Sequence, residues 1–216
     1  MAKLIAPRLS KKLNEEVDLK SELNKEFDDI IECSFKNQLV DQVKRKSVSV
    51  YSCEFTNCTF SDCDLGKVGF SDVLFTNCDL SNINFSTGCF SRVEFRGCKL
   101  IGTNFAEAFF TQVLFSECKS DYINFSLSKL QHVHYQHCQL LNSSIDNCSL
   151  ANVEFDHCDL TGAEFYGTSL KGIDLSDSRI TGIRIKALPV TELRGLTVSP
   201  SQALELVSLL GLNIQY

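Results

Sequence analysis

From Phe35 to Val190 an apolar side chain returns at every fifth residue, and only Arg45 and Ser120 break the series of 32 positions. Phe and Leu dominate this column. A second column, two residues earlier, runs Cys53, Cys58, Cys63, Val68, Val73, Cys78, Ile83 and onward through Ile183 to Leu188, mostly small or β-branched residues. A helix returns to one face after three or four residues and a strand after two, so a period of five fits neither. A five-residue unit cannot bury its own apolar side chain and must coil and stack on copies of itself.

A second period, of twenty, sets four units to the coil. Phe55, Phe75, Phe95, Phe115, Tyr135 and Phe155 form one ladder, with Val73, Val93, Val113, Val133 and Val153 beside it. Cys58, Cys78, Cys98, Cys118, Cys138 and Cys158 form another, beside Phe60, Leu80, Leu100, Ser120, Leu140 and Leu160. Like side chains in register suit coils stacked at roughly one strand spacing, ~4.8 Å, and about eight such coils give a rod ~38 Å long. No insertion breaks the register. Three parts are therefore expected: a capping segment over 1–32, the repeat body over 33–190, and a helix and tail over 191–216.

The motif [C/V/A/S/T/I]-x-[F/L]-x-x resembles the pentapeptide-repeat family over roughly residues 33–190. The resemblance implies an all-β fold, a right-handed quadrilateral parallel β-helix with one repeat per side and a C-terminal capping helix. The central residue and the one two before it would point inward.

Ten of the eleven cysteines, all but Cys89, fall in the inward column. Their phase with the repeat is that of small buried hydrophobes, and spacings of 5 and 20 argue against a disulfide framework or a zinc cluster. His132, His134, His137 and His157 lie close in sequence. Their periods place His137 under His157 and His134 under Glu154, read here as polar stacking with no metal or other cofactor. Ser120 leaves a gap that Tyr122 is expected to fill. Arg45 marks imperfect first coils that the N-terminal segment partly covers.

Leu9, Leu13, Val17, Leu23 and Phe27 are spaced for one or two short amphipathic segments over the open first coil, which would otherwise expose core and strand edge. At the other end, Ser199 reads as an N-cap and Pro200 as the first helical residue of a helix to about Leu210, stopped by Gly211. Leu204, Leu206, Val207 and Leu210, with Leu212 and Ile214 beyond, offer more apolar surface than a cap needs. A two-fold contact through Leu204, Val207, Leu210, Leu212 and Ile214 would bury the surplus.

The ending ELRGLTVSPSQALELVSLLGLNI resembles the C-terminal helix and tail of the Qnr proteins, and LTGAEFYGTSLKGIDLSDS (160–178) and LIGTNFAEA (100–108) are similar to their repeats. The resemblance implies a homodimer through the C-terminus that binds DNA gyrase or topoisomerase IV and protects it from quinolones. Many Qnr proteins carry projecting loops; this chain has none, so activity is expected from the rod faces, the N-terminal segment or the dimer junction.

Charge fits that expectation in part. Residues 53–190 carry 10 basic and 16 acidic groups, the whole of the chain's net −6, since the flanking segments cancel at +1 and −1. Glu54, Glu94, Glu117, Glu154, Asp156, Asp174 and Asp177 fall on the Phe55 side with only Arg96 among them. Duplex DNA of ~38 Å would carry about 22 charges. The rod can therefore imitate DNA in width and sign but not in density, steering encounter with a basic groove while shape supplies specificity.

No glycine-rich phosphate loop, nucleophile elbow or HExxH sequence appears, so no enzyme is expected. The acidic body disfavours direct nucleic-acid binding. No apolar run reaches membrane-spanning length and no secretory core follows Met1, which makes a cytoplasmic protein the expectation. The alternatives are a scaffold for some other protein, or a gyrase inhibitor that does not protect.

Overall fold

The computed structural model describes residues 4–25, 29–186, 191–207 and 209. Phe27, Leu188 and Val190, and Leu210, Gly211, Leu212 and Ile214 of the tail, lie outside them. Ten strands follow in order: β1 Ile30–Ile31, β2 Ser34–Lys36, β3 Leu39–Asp41, β4 Ser49–Thr56, β5 Thr59–Ser61, β6 Gly69–Thr76, β7 Cys89–Arg96, β8 Phe109–Ser116, β9 Lys129–Gln136 and β10 Ser149–Asp156. Helix α1 spans Leu19–Leu23, and α2 spans Pro200–Val207. All strand pairs are parallel with a register of twenty residues, as in Phe55↔Phe75 and Phe95↔Phe115. The chain is thus a parallel β-solenoid: the six eight-residue strands each bend over one corner, at Ser52, Asp72, Arg92, Gln112, His132 and Asn152, and isolated bridges such as Asn84↔Asn104 and Asp79↔Lys99 tie the remaining walls. Among the described residues no helix is long and apolar enough to cross a membrane.

The period-five column fills the interior. Phe75, Phe95, Phe115, Tyr135 and Phe155 stack face to face, 4.8–5.0 Å between neighbouring centroids and within 6° of parallel. Isolated ring pairs favour offset or edge-on contacts; here the rung spacing imposes stacking along the axis. Edge contacts run across the axis, as between Phe90 and Phe105 at 5.2 Å and 81°.

The second column has a physical reason that apolarity alone misses. Cys78, Cys118 and Cys158 each direct Sγ at the carbonyl of the residue 23 earlier, Phe55, Phe95 and Tyr135, at 3.3–3.4 Å. Thr103, Ser128 and Thr168 do the same with hydroxyls, to Leu80, Phe105 and Ile145 at 2.5–2.8 Å. A small side chain with one donor satisfies a buried carbonyl of the coil below, so Cys, Ser and Thr are interchangeable there. The expected cysteine packing is observed: the ten inward cysteines are buried, Cys89 is exposed, and none is bridged. Burial pushes the Cys53 thiol up to about 12 and Cys148 to about 11.

From Glu32 to Gly172 every fifth residue turns a corner at positive φ, and the position is filled mainly by Asn, Asp, His and Gly. Gly102 and Gly162 suit this backbone, with φ of +66° and +70°, and a Cβ there would stand 2.4 Å from Oδ1 of the Asn one coil below, which would have to swing aside. Tyr122 and Leu127 hold the same backbone at φ 58° and 64° with their side chains out in solvent. This corrects the expectation for Tyr122, since a corner residue points away from the interior and cannot fill the gap at Ser120. Ser120 is itself buried.

Both ends are closed. Asp18 caps α1 by accepting from Ser21 N at 2.8 Å, and the buried Leu19 and Leu23 plug the first coil. Arg45 Nη1 donates to the carbonyls of Glu22 and Leu23 at 2.9 and 3.3 Å, so this break in the apolar series caps the plug. Of the one or two short amphipathic segments expected over the first coil, α1 is one, while the residues before it form a strap. Asn14 bridges to Cys33, and the main chain of Ser10, Arg8 and Ile5 donates to Ser52 Oγ, Asp72 Oδ1 and Gln112 Oε1 at 2.8–2.9 Å, climbing three coils. At the C-terminal end the register changes: Leu175 N donates to Thr197 O, and the buried Glu192 accepts from Gly167 N.

Candidate functional site: the acidic strip and the C-terminal end

The seven acidic residues fall into a held pair, a lone exposed Glu117 and a group of four, which the sequence does not separate. Glu54 and Glu94 lie on β4 and β7, and both are held. Glu54 accepts from Ser34 Oγ at 2.7 Å with Lys36 at 4.0 Å, and Glu94 pairs with Arg96 at 2.7 Å. Little uncompensated charge remains there. Glu117 stands exposed on the corner that follows β8.

The other four gather. Glu154 and Asp156 project from β10 two residues apart, on one face as strand geometry requires. With Asp174 and Asp177 of the next coil they line a groove of about 300 Å³ whose lining holds neither Lys nor Arg. The Ser176 hydroxyl, together with the Ser176 amide that donates to Asp174 Oδ1 at 2.9 Å, holds the Asp174 carboxyl below the usual range. The negative charge that reaches solvent is therefore concentrated at the C-terminal end of the strip.

Histidines stand among these carboxylates, with both stackings in the expected place. The His137 and His157 rings lie 5.3 Å apart, and His134 Nε2 is 3.6 Å from Glu154 Oε2. Burial lowers the His134 pKa, with Glu154 opposing; the Asp156 carboxylate beside the exposed His157 raises its pKa.

Helix α2 begins where the sequence places it. Ser199 N donates to Gln202 Oε1 at 2.7 Å, while Gln202 N reaches back to Ser199 Oγ at 3.4 Å, a reciprocal cap behind Pro200. Gln202 was not singled out in the sequence, although S-x-x-Q is a cap signature. Its buried Nε2 also donates to the carbonyls of Leu175 and Ser178 at 2.7 and 2.6 Å, fixing the helix on the last coil. Leu206 and Leu209 pack against the core, whereas Leu204 is half exposed and Val207 partly buried. Of the residues expected at a dimer contact, Leu204 thus faces outward, and Leu210, Leu212 and Ile214 lie outside the described residues.

Comparison with known proteins finds similar solved structures and two matching family models. Among solved structures, a trypsin-treated form of QnrB1, a plasmid-mediated fluoroquinolone resistance protein, is 21% identical with a TM-score of 0.49, covering 86% of this chain and 99% of that one. HetL, a pentapeptide repeat protein involved in heterocyst differentiation regulation from the cyanobacterium Nostoc, is 13% identical with a TM-score of 0.42, covering 82% and 89%. No curated protein matches. The family model for pentapeptide repeats (8 copies) matches residues 53–92, and that for a pentapeptide repeat region matches 88–165. Together they span more than half of the 216 residues, and the chain belongs to the pentapeptide-repeat family.

Proposed function

We propose that this chain is a Qnr-like protein that binds a type II topoisomerase, DNA gyrase or topoisomerase IV, as a partial DNA mimic and protects it from quinolones. The observation that carries this reading is the C-terminal sequence from Glu192 to Ile214, with its similarity to the Qnr ending, on a rod whose solvent-facing acidity gathers at the same end. The acidic end steers the rod toward a basic groove, and two rods joined through α2 and the tail present a longer surface of the same sign.

Supercoiling by gyrase at fixed ciprofloxacin, with the protein titrated from far below to far above the enzyme, tests the reading. Restored supercoiling supports protection. Inhibition without rescue keeps the partner but removes protection, and no effect leaves a scaffold for another protein. Charge reversal separates the two acidic groups: Glu154→Lys should weaken binding severalfold at low salt, while Glu94→Lys, whose carboxylate Arg96 already holds, should change it little. Equal effects would remove the C-terminal end from the account.

A further inference from the structure

One corner column carries Glu117, His137, His157 and Asp177 on four successive coils. The two imidazoles lie 5.3 Å apart, tilted by 43°. His157 Nδ1 is 2.6 Å from Asp156 Oδ1 and 3.7 Å from Asp177 Oδ2, and one donor atom from each of these three residues lies within 4.8 Å of the other two. Donors at ~2.0–2.1 Å from a tetrahedral zinc ion stand about 3.4 Å apart, so side-chain shifts of about an ångström would bring these three into place. A second observation lies alongside. His134 is buried with no hydrogen-bond partner at Nε2, which faces Glu154 at 3.6 Å, and Glu154 shares its groove with Asp156 and Asp177.

The geometry points to a divalent transition-metal site of zinc type, formed by Asp156, His157 and Asp177 with His137 as fourth donor. Mixed imidazole and carboxylate donors suit zinc, cobalt or nickel, whereas magnesium and calcium favour oxygen alone. The frame is stiff where it needs to be: His137 N donates to Asp156 O at 2.9 Å, so backbone bonding sets the spacing between rungs. A bound ion would join three coils at residues twenty apart and place two positive charges on the most acidic part of the rod. This inference does not depend on the topoisomerase reading.

The test uses the full chain carrying Cys89→Ser, which removes the exposed thiol as a competing ligand. Cobalt is titrated by visible absorption and zinc by calorimetry. The expected result is one saturable site per chain with no thiolate charge-transfer band, displacement of cobalt by zinc, and a rise in melting temperature with free metal. His157→Ala and His137→Ala, both at exposed positions, should each weaken binding at least about tenfold, while His132→Ala leaves it unchanged. Failure to saturate, a thiolate spectrum, or undiminished affinity in the His137→Ala/His157→Ala double variant would overturn the assignment.

Discussion

The two ends of the rod solve one problem in opposite ways. Both must cover an open coil, of Phe and Val at the N-terminal end and of Leu and Ile at the other, without leaving carbonyls bare. The N-terminal end inserts apolar side chains, Leu19 and Leu23, and brings polar partners from the body, since Arg45 and Gln38 reach up to cap and anchor the plug. The C-terminal end keeps the coil going for one displaced turn and then inserts polar groups of its own, Glu192 and Gln202, which meet the last amides and carbonyls. The first lid is thus held by hydrophobic burial, the second by directional bonds. Directional bonds fix α2 in one orientation, which suits an end that presents Leu204 outward.

The largest expected effect tests the apolar lid. Leu19→Ala should lower stability by about 2–5 kcal/mol, because a fully buried leucine leaves a cavity the short plug cannot close; denaturant unfolding measures it. Gln202→Ala should cost about 1–3 kcal/mol, leaving two buried carbonyls and a helix cap unmet. If its loss were no greater than that of an exposed α2 substitution, the contrast between the ends would collapse. Arg45→Ala should cost about 1 kcal/mol and act on α1, seen as faster amide exchange in Leu19–Leu23.

The strap should respond to acid. Arg92 beside Asp72, together with the Arg8 amide, holds that carboxyl below its ordinary value. A carboxyl with a depressed folded pKa stabilises fully above its unfolded value near 3.8 and loses that contribution as pH falls through the folded value. Exchange at Ile5 and Arg8 should therefore quicken below about pH 4 while the core strands stay protected, and Asp72→Asn should remove the pH dependence. The smallest effect is a gain. Leu127→Gly, at an exposed corner of positive φ, should stabilise by roughly 0.5–1 kcal/mol in calorimetry, and a loss would show that the leucine packs on something.

What the sequence made legible was whatever repeats. The interior columns, the coil of twenty and the stacked histidines follow from spacing, because each is a contact between repeat positions, and the start of α2 follows from the local Ser199-Pro200 signal. What stayed hidden is made by main chain or by single polar residues. The strap's path depends on backbone N–H groups donating to Ser52, Asp72 and Gln112, and no pattern in Ile5, Arg8 or Ser10 encodes it. Glu192 and Gln202 read as ordinary surface residues until the displaced coil buries them. The acidic strip looked uniform because pairing partners such as Lys36 for Glu54 come from the coil below, at an offset that a count of charges ignores.

The twenty-residue register, unbroken through the body as far as Arg184, makes length an independent variable of this molecule. Excising residues 121–140 would bring each rung onto one of matching type, Phe115 onto Phe155 and Cys118 onto Cys158, leaving both lids and every strap contact from Ser52 to Gln112 in place. The product would be the same object, shorter by roughly 4.8 Å. A graded set of such deletions and duplications would work as a molecular ruler, reporting how deep a groove the rod has to fill.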